Sequence, residues 1–378
     1  MNTEREYEPE ELFDEILLSM VDGVGPLTTR RLLERFGSAS AILAASPTEL
    51  QSVSGVGEKI SRQIVSARTL YKPTELIALC KKEKIGILGK NDSRYPRRLL
   101  EIADAPPILY VKGQPQPEDA MAVAVVGTRG MSMYGRRVTI QLAGGLARAG
   151  VTIVSGLAAG IDGVAHEAAL AAGGRTIAVL GSGLLEIYPP QHRPLAQKIT
   201  EHGAIYSELH PLATPLAGNF PQRNRIVSGL ALGVLVVESP RKSGSLITAR
   251  LAMEQNRDVF AVPGPVDSEN SRGCHQLIKD GARLVETASD ILDELGPLPL
   301  PAPTGALEPD LNEIRHASEL TLNEREKSIL ALIETTPIAL DEVIRRSELT
   351  VSQVIAVISV LEMKRLVVRG DGGKISRR

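Results

Sequence analysis

Six short apolar runs, rich in Val, Ile and Ala, recur through the middle of the chain, and most of them precede a helical pattern of hydrophobic positions. The runs are Val123–Gly127, Val151–Gly156, Thr176–Gly181, Ala204–Glu208, Val234–Ser239 and Asp258–Gly264. Continuous apolar strands that alternate with helices indicate a parallel β-sheet whose two faces are both covered. The pattern therefore predicts an α/β domain with a Rossmann-like parallel sheet and helices on both faces.

Each of these runs ends in a small loop that is rich in glycine or serine. Ligands of open parallel sheets bind outside the carboxyl ends of the strands, near the point where the strand order reverses. Free backbone N–H groups in such loops suit phosphate, particularly when a few cations lie nearby. We therefore expect an anion-binding edge at the carboxyl ends of the predicted strands.

Two smaller modules flank the α/β pattern. Near the amino terminus, Gly-Val-Gly occurs at Gly23–Gly25 and again at Gly55–Gly57, each time before a helical pattern. This favours a helix-hairpin-helix (SAM-like) domain, whose glycine turns can approach a DNA backbone. Two ordinary glycine turns in a helical bundle are the alternative.

Near the carboxyl terminus, the third of three helical patterns, Val351–Lys364, precedes a strand–glycine turn–strand pattern at Leu366–Ile375, which is typical of a winged helix. Because that third helix lacks Arg, contact with protein competes with contact with DNA as its predicted role.

These patterns divide the chain into four predicted parts. They are a helical helix-hairpin-helix domain at residues 1–73, a Rossmann-like domain at 74–295, a Pro-rich linker at 296–319 and a winged-helix domain at 320–378. Proline breaks helices and removes a ladder donor, so we expect no regular structure in the Pro-rich stretch Gly296–Gly305.

Composition narrows the class of protein. The hydrophobic content of 43% and the charged content of 23% are those of a globular protein, and the net charge of −2 means that any anion site is a local patch. The two cysteines, Cys80 and Cys274, form no metal-binding spacing. The acidic amino terminus does not match a signal peptide, and no apolar run is long enough to span a membrane. We expect a cytoplasmic protein with no membrane insertion, no metal and no cofactor.

The first candidate binding loop is Gly127-Thr128-Arg129, which follows a predicted buried strand. The planar guanidinium of Arg129 suits a phosphate, and a surface ion pair with a carboxylate is the alternative. The loop lacks the Gly-x-Gly-x-x-Gly fingerprint of dinucleotide binding, and the chain contains no Gly-x-x-x-x-Gly-Lys-Ser/Thr motif. ATP hydrolysis of the P-loop type is therefore not supported.

A second cluster joins Phe220 to Arg223, Asn224 and Arg225 at a predicted helix start. Aromatic residues make up only 3% of the chain, which makes a ring beside two arginines informative. Unpaired nucleic acid stacks its bases on such rings while cations hold its backbone. The alternative is a core Phe with arginines in structural salt bridges. Because positions i and i+2 of a helix point to different faces, Arg223 and Arg225 are expected to have different roles.

Two further loops carry candidate residues. Arg241 and Lys242 lie close to Gly244 and Ser245, which open another helical pattern; a solvated basic loop is the alternative. Asp162 and His166 lie four residues apart and share a helix face, so acid–base or metal chemistry is conceivable. No third metal ligand is near them in sequence, and a helix N-terminal carboxylate beside a hydrogen-bonded His is the simpler interpretation. We predict no catalytic residue.

As a set, these motifs resemble the DNA-processing protein A family, also called Smf. The stretches that carry the resemblance are Val126–Arg129, Ser155–His166, Thr176–Pro190, Phe220–Gly229, Ser243–Thr248 and Val259–Gly264. The resemblance covers about residues 10–295, and the flanking modules resemble those of the longer family members.

The resemblance implies a protein that is not an enzyme. Such a protein binds single-stranded DNA, protects incoming DNA, loads the RecA recombinase in natural transformation and forms a homodimer through its Rossmann-like domain. The family's DNA pocket maps here to Arg129, Ser155, Gly156, Phe220, Arg223 and Asn224. Two departures stand out: His192 replaces a frequent Asn, and Pro215–Ala217 lacks an expected basic residue, for which Arg193 or Arg241 could substitute.

The full predicted DNA-binding set combines the loops and the resemblance. It comprises Gly127, Thr128, Arg129, Ser155, Gly156, Phe220, Arg223, Asn224, Arg225, Arg241, Lys242, Gly244 and Ser245. The alternative is a nucleotide-processing enzyme related to phosphoribohydrolases. Its acidic residue has no counterpart in Gly244–Ala249, so Asp162 or Glu208 would have to act instead. A scaffold that contacts protein through the apolar helix of its tail is a third hypothesis.

Overall fold

A nine-stranded β-sheet forms the centre of the molecule's larger part. Its strands are β1 (Gly86–Gly89), β2 (Ile108–Gly113), β3 (Ala122–Val126), β4 (Thr152–Ser155), β5 (Thr176–Val179), β6 (Gly203–Ser207), β7 (Gly233–Val236), β8 (Asp258–Ala261) and β9 (Arg283–Leu284), in the spatial order β1-β2-β6-β5-β4-β3-β7-β8-β9. All pairs from β6 to β9 are parallel, whereas β2 lies antiparallel to both β1 and β6. The six predicted strands are confirmed, and β1, β2 and β9 extend the sheet at its two edges.

The structure is a computed structural model that describes residues 8–295, 297–299, 314–316, 324–333, 338–347, 349–363, 366–369 and 374–377. It divides into two units. The first comprises Met1–Ala147 with Val151–Val285, and the second comprises Arg148–Gly150 with Glu286–Arg378.

Burial explains the continuous apolar runs. Every residue of the five strands from β3 to β7 is buried. Two hydrophobic clusters cover the sheet, one around Val154, Val234 and Ile226, and the other around Ile205, Leu180 and the helices that precede β1. A strand that is buried on both faces needs no polar alternation, which is why its sequence reads as an uninterrupted apolar run.

Fourteen helices are described in the first unit. They are α1 (Phe13–Ser19), α2 (Pro26–Phe36), α3 (Ala39–Ala44), α4 (Pro47–Gln51), α5 (Glu58–Val65), α6 (Ala67–Leu70), α7 (Pro73–Glu83), α8 (Arg97–Leu100), α9 (Met133–Arg148), α10 (Ile161–Ala171), α11 (Arg193–His202), α12 (Asn219–Gly229), α13 (Gly244–Glu254) and α14 (Arg272–Lys279). Gly23 and Gly55 adopt φ angles of +83° and +92°, which favour glycine, and Gly25 and Gly57 cap α2 and α5. The repeated glycine turn before a helix is thus confirmed.

The second unit contains a small helical module with a short sheet. Its elements are α15 (Ala288–Leu295), β10 (Pro297–Pro299), β11 (Ile314–His316), α16 (Glu324–Leu330), β12 (Ile338–Ala339), α17 (Leu340–Arg346), α18 (Val351–Met363), β13 (Val367–Arg369) and β14 (Lys374–Arg377). The order β12-β14-β13 with three helices is a winged helix, as predicted.

The Pro-rich stretch corrects one expectation. β10 and β11 pair antiparallel, with Pro297 opposite His316, so the prediction of no regular structure is wrong at these residues. Proline is compatible with an extended edge strand, where its missing N–H removes no interior ladder bond. The boundaries of the linker at 296–319, like the other domain boundaries, stay predictions.

The strand order reverses at β3. From β3 the chain adds β4, β5 and β6 on one side and then returns to place β7 and β8 on the other. The carboxyl ends of β3 and β7 therefore flank the topological switch point, where ligands of such sheets bind. Among the described residues, no helix is both long enough and apolar enough to cross a membrane.

Candidate nucleic-acid interface

The loop after β3 is held by a buried carboxylate. Thr128 N donates to the backbone oxygen of Glu238 at 2.7 Å, and Ser132 donates to the Glu238 carboxylate from its backbone N at 2.9 Å and from its Oγ at 2.5 Å. A Cβ at Gly127 would lie 2.5 Å from a side-chain carbon of Ile161, so the tight approach requires glycine there. The loop is fixed, and Arg129 is exposed at its tip.

The loop after β4 contains its own anion. The Asp162 carboxylate accepts hydrogen bonds from Gly156 N at 3.2 Å and Ala158 N at 3.4 Å. Burial raises the pKa of Asp162, and the nearby Arg223 opposes that effect. Ser155 is fully buried and donates its hydroxyl to Val125 O at 2.6 Å. The expected phosphate cradle is thus occupied by Asp162, and the side chain of Ser155 lies inside the sheet, so its contact with DNA stays a prediction.

Arg223 is a buried cation that joins two strand ends. Only 5% of the residue is exposed, and its Nη1 donates to the backbone oxygens of Gly156, at 2.6 Å, and Val179. Burial lowers its pKa to about 10 in spite of the nearby Asp162 carboxylate. Asn224, the next residue of α12, donates its Nδ2 to Gly244 O at 3.3 Å. Arg223 therefore fixes α12 to the carboxyl ends of β4 and β5.

Phe220 stands at the start of α12 with its ring half-buried. The guanidinium carbon of Arg129 lies 5.5 Å from the ring centroid, and that of Arg223 lies 5.9 Å from it. The Tyr188 ring, 42% exposed, has its centroid 5.7 Å away at an interplanar angle of 53°. We call these four residues the Phe220 cluster. Within the described part of the chain Arg129 forms no salt bridge with a carboxylate, so the cluster presents a cation and two partly exposed rings.

The Arg225 side chain contacts carboxylates, unlike that of Arg223, which contacts backbone oxygens. Its Nε lies 3.1 Å from the Asp104 carboxylate and its Nη2 lies 2.5 Å from that of Glu208. Burial raises the pKa of Glu208, and Arg225 opposes that effect. The two arginines therefore contact different groups, as the helix geometry predicts, and the salt-bridge alternative describes Arg225. Its direct contact with DNA stays a prediction.

The loop after β7 contributes two exposed cations, Arg241 and Lys242. Ser245 is buried and donates its hydroxyl to Ser239 Oγ at 3.0 Å, while its backbone N donates to Ser243 Oγ at 3.3 Å. Gly244 is exposed and opens α13. Arg241 and Lys242 thus lie at the same edge as the Phe220 cluster, and Ser245 supports their loop.

His166 is fully buried on α10. The Thr176 hydroxyl donates to Ile153 O at 2.7 Å, so His166 Nδ1 donates to Thr176 Oγ1, also at 2.7 Å. Burial lowers the pKa of His166 to about 3, and the nearby His192 and Arg223 add to that effect. No cluster of three or more His, Cys, Asp or Glu side chains that could hold a metal is found among the described residues. The hydrogen-bonded interpretation of His166 fits this geometry.

Two residues of the site are not identified from the sequence. Tyr188 packs beside Phe220 and lies in one of the stretches that carry the family resemblance, and the scarcity of aromatic residues was a usable signal for it. Glu238 anchors the Arg129 loop through a contact that is long-range in sequence. No local pattern in the sequence indicates such a contact.

Three family models match the chain. DNA recombination-mediator protein A matches residues 86–296, the DprA winged helix domain matches 313–373, and a SAM-like helix-hairpin-helix tandem matches 14–68. The first of these covers the nine strands and the Phe220 cluster.

Individual known proteins point to the same family as these models. Protein Smf of a Synechocystis species is 38% identical over 390 residues, which cover 95% of this chain and 97% of that protein. The crystal structure of DNA processing protein A from Streptococcus pneumoniae has 35% identity and a TM-score of 0.66, covering 76% of this chain and 98% of that one. DNA processing protein A from Helicobacter pylori, solved to show its mode of binding single-stranded DNA, has 32% identity and a TM-score of 0.51, covering 56% and 95%. This chain therefore belongs to the DNA-processing protein A (DprA/Smf) family of DNA recombination mediators.

Proposed function

We propose that this protein binds single-stranded DNA at the Phe220 cluster and acts there as a recombination mediator. One observation carries the proposal: the Arg129 guanidinium lies over the half-buried Phe220 ring at the topological switch point. The carboxyl ends of the strands around it lie at the rim where such sheets bind ligands. The relative from Helicobacter pylori, whose structure concerns single-stranded DNA binding, supports the same ligand.

The chemistry of the cluster fits an unpaired strand better than a duplex. Stacking of one base on an aromatic ring contributes about 1–3 kcal/mol to binding and does not depend on base identity. A duplex hides the faces of its bases, so it offers Phe220 and Tyr188 nothing to stack on. The cations bind the phosphates, and the affinity they provide weakens as the salt concentration rises.

The test replaces the exposed cation and the aromatic ring of the cluster separately. Arg129→Ala is expected to weaken binding to labelled oligothymidine and to reduce the slope of log affinity against log salt by about 0.7 for each phosphate that is no longer neutralised. Phe220→Ala is expected to cost about 1–3 kcal/mol of binding free energy with the slope preserved. Lys82→Ala, an exposed position on α7, is the control. Binding by both cluster variants that equals the control's would refute the pocket.

We also propose that the bound strand is protected and passed to the RecA recombinase in natural transformation. In this proposal the protein works in the cytoplasm, as a homodimer assembled through the sheet domain and not as an enzyme. Assembly of RecA on oligonucleotides coated with single-strand-binding protein, followed with and without this chain, tests the proposal. Phe220→Ala is expected to remove the stimulation. A variant that stimulates RecA fully while failing to bind DNA would contradict it, and sedimentation of the purified chain tests the dimer.

The nucleotide-enzyme alternative would need a free carboxylate. Asp162 accepts two backbone hydrogen bonds inside its own loop, and Glu208 is ion-paired with Arg225. Neither geometry favours a general acid or base facing a bound nucleotide. The arrangement therefore supports DNA binding over base release.

A further inference from the structure

The carboxyl edge of the sheet continues beyond the strands that were predicted. Because β2 is antiparallel to both β6 and β1, β1 runs in the same direction as β6. Lys90 directly follows β1, and Asp104 precedes β2, so both lie at the edge that carries the Phe220 cluster. Glu208 follows β6 at this edge as well.

The Arg225 guanidinium uses only part of its hydrogen-bonding capacity at this edge. Its side chain is 9% exposed, and it engages the Asp104 and Glu208 carboxylates through Nε and Nη2. Its Nη1 is buried and has no hydrogen-bond partner. A buried donor without a partner costs about 1–3 kcal/mol, more when it is charged, so such groups call for an explanation.

Lys90 lies at the same edge of the sheet as Arg225, near enough for the charge of Arg225 to act on it. It is half-buried, and among the described residues it has no hydrogen bond or ion pair. Burial lowers its pKa, and the positive charges of Arg30 and Arg225 add to that effect, while Asp104 opposes it. Two like charges thus act on Lys90, and the nearby carboxylate of Asp104 is already bound to Arg225.

The third cation comes from the helical domain. Arg30 on α2 donates from its Nη1 to Ala103 O at 3.4 Å and pairs its Nε with Glu34 at 2.8 Å. Its side chain is 52% exposed, so part of the guanidinium remains accessible. We call Arg30, Lys90 and Arg225 the Lys90 site. Arg225 engages the carboxylates of Asp104 and Glu208, and Arg30 pairs with Glu34, so Lys90 is the cation of this site that no carboxylate among the described residues pairs with.

We propose that the Lys90 site binds a backbone phosphate of the same DNA strand that occupies the Phe220 cluster, an inference that rests on the proposed function. A phosphate oxygen would give Lys90 Nζ the partner that it lacks through a charge-assisted hydrogen bond, and the half-exposed Arg30 side chain would add a second cation, while Arg225 contributes its positive charge from within. The helix α12 carries both Phe220 and Arg225, so one element positions both sites. In this proposal the glycine-turn domain contributes to DNA binding through Arg30.

The path between Arg129 and Lys90 sets the length of DNA that reaches both residues. Five strand spacings separate β3, which precedes Arg129, from β1, which precedes Lys90, and they amount to about 24 Å. That distance corresponds to roughly seven nucleotides at the ~3.4 Å spacing of a duplex strand, and to fewer in a stretched strand. Phe220 and Arg225 lie only five residues apart on α12, so they are closer together than this. A 20-mer is therefore long enough to reach all of these residues.

The experiment compares Lys90→Gln and Arg30→Gln with the control Lys82→Gln in the full chain. Affinity for oligothymidine of about 20 nucleotides is measured over a range of salt concentrations. Each site variant is expected to bind this 20-mer several-fold more weakly than the control, with a salt slope smaller by about 0.7 for the phosphate that it no longer neutralises. If Lys90→Gln fails to fold, Arg30→Gln, on an exposed side chain, still provides the test.

The outcomes separate this inference from the proposed function. Loss of 20-mer binding in Arg129→Ala and Phe220→Ala, with Lys90→Gln and Arg30→Gln equal to the control, overturns the Lys90 site alone. Unchanged binding in the Arg129 and Phe220 variants overturns the proposed function instead. Thermal stabilisation by inorganic phosphate is measured in parallel. Stabilisation that Lys90→Gln abolishes, without any change in 20-mer affinity, would assign the site to a free phosphate and overturn the strand path.

Discussion

At the scale of single residues, the position of Arg223 depends on a glycine. Its guanidinium rests against Gly156, where an added Cβ would lie 2.6 Å from the guanidinium carbon. Gly156→Ala must therefore displace Arg223 from the strand ends and, with it, the cation beneath Phe220. We expect weaker binding of single-stranded DNA and a loss of about 1–3 kcal/mol in the free energy of unfolding, as for other overpacked sites.

Oligothymidine binding and urea unfolding measure the two effects. Gly57→Ala is the matched control, because a Cβ there would meet nothing within 4 Å and its φ of −85° suits any residue. Wild-type affinity in Gly156→Ala would show that the position of Arg223 does not matter to the site.

A second residue-scale prediction concerns pH. His166 is buried and neutral with a pKa of about 3, against an ordinary value of 6.5. The unfolded chain binds this proton more readily, so the free energy of unfolding is highest above about pH 6.5 and falls as the pH drops toward 3. At pH 4 the free energy of unfolding is lower by about 3 kcal/mol than above pH 6.5 because of this one group. Urea unfolding between pH 4 and 8 should show a flatter dependence in His166→Gln than in the parent chain; identical slopes would contradict the assignment.

Single residues also show where sequence reasoning stops. Arg129 and Phe220 could be identified because they occupy distinctive positions, one after a strand and one among few aromatic residues. The different role of Arg225 followed from helix geometry, but its partners Asp104 and Glu208 did not, since the fold alone brings them together. Ser155 stands at a strand end that the sequence indicates, and only the structure shows that its hydroxyl bonds to β3.

At the scale of elements, the loop between β3 and α9 depends on the end of β7. Glu238 is 2% exposed and accepts two hydrogen bonds from Ser132. In Glu238→Gln the side-chain NH2 group takes the place of one acceptor oxygen and faces a donor of Ser132. The loop that carries Arg129 therefore loses one of the hydrogen bonds that hold it. We expect several-fold weaker DNA binding and a loss of about 1–3 kcal/mol in the free energy of unfolding. Glu254→Gln, whose side chain is 62% exposed, should change neither quantity, and equal behaviour of the two variants would rule out this role for Glu238.

The central strands and the edge strands are stabilised in different ways. The six central strands are continuous apolar runs because they are buried on both faces, so the sequence indicates each of them. β1 contains two glycines in four residues, and β9 has only two residues, both exposed. Such edge strands are held by pairing with a neighbour rather than by their own sequence, and the same is true of β10 in the Pro-rich stretch.

At the scale of the whole molecule, a net charge of −2 coexists with a local concentration of cations. Arg129, Arg241 and Lys242 are exposed along one edge of the sheet. A chain with a slightly negative net charge can therefore still attract a polyanion along that edge. This distribution could be expected from the loops in the sequence, but the continuation of the edge to Lys90 could not, because it depends on the antiparallel addition of β2 and β1.

The two units have separate hydrophobic cores, which leads to the last prediction. The winged-helix core draws on residues from Ile329 to Ile375, whereas the cores around the sheet and in the helical domain draw on residues from Leu12 to Leu277. Removal of residues 296–378 therefore deletes no side chain from the cores that support the Phe220 cluster. We expect the shortened chain to fold and to bind oligothymidine within about 0.5 kcal/mol of the full chain, as for sites without shared partners. A tenfold loss of affinity would instead assign DNA contacts to the winged helix, in spite of the apolar, arginine-free sequence of α18.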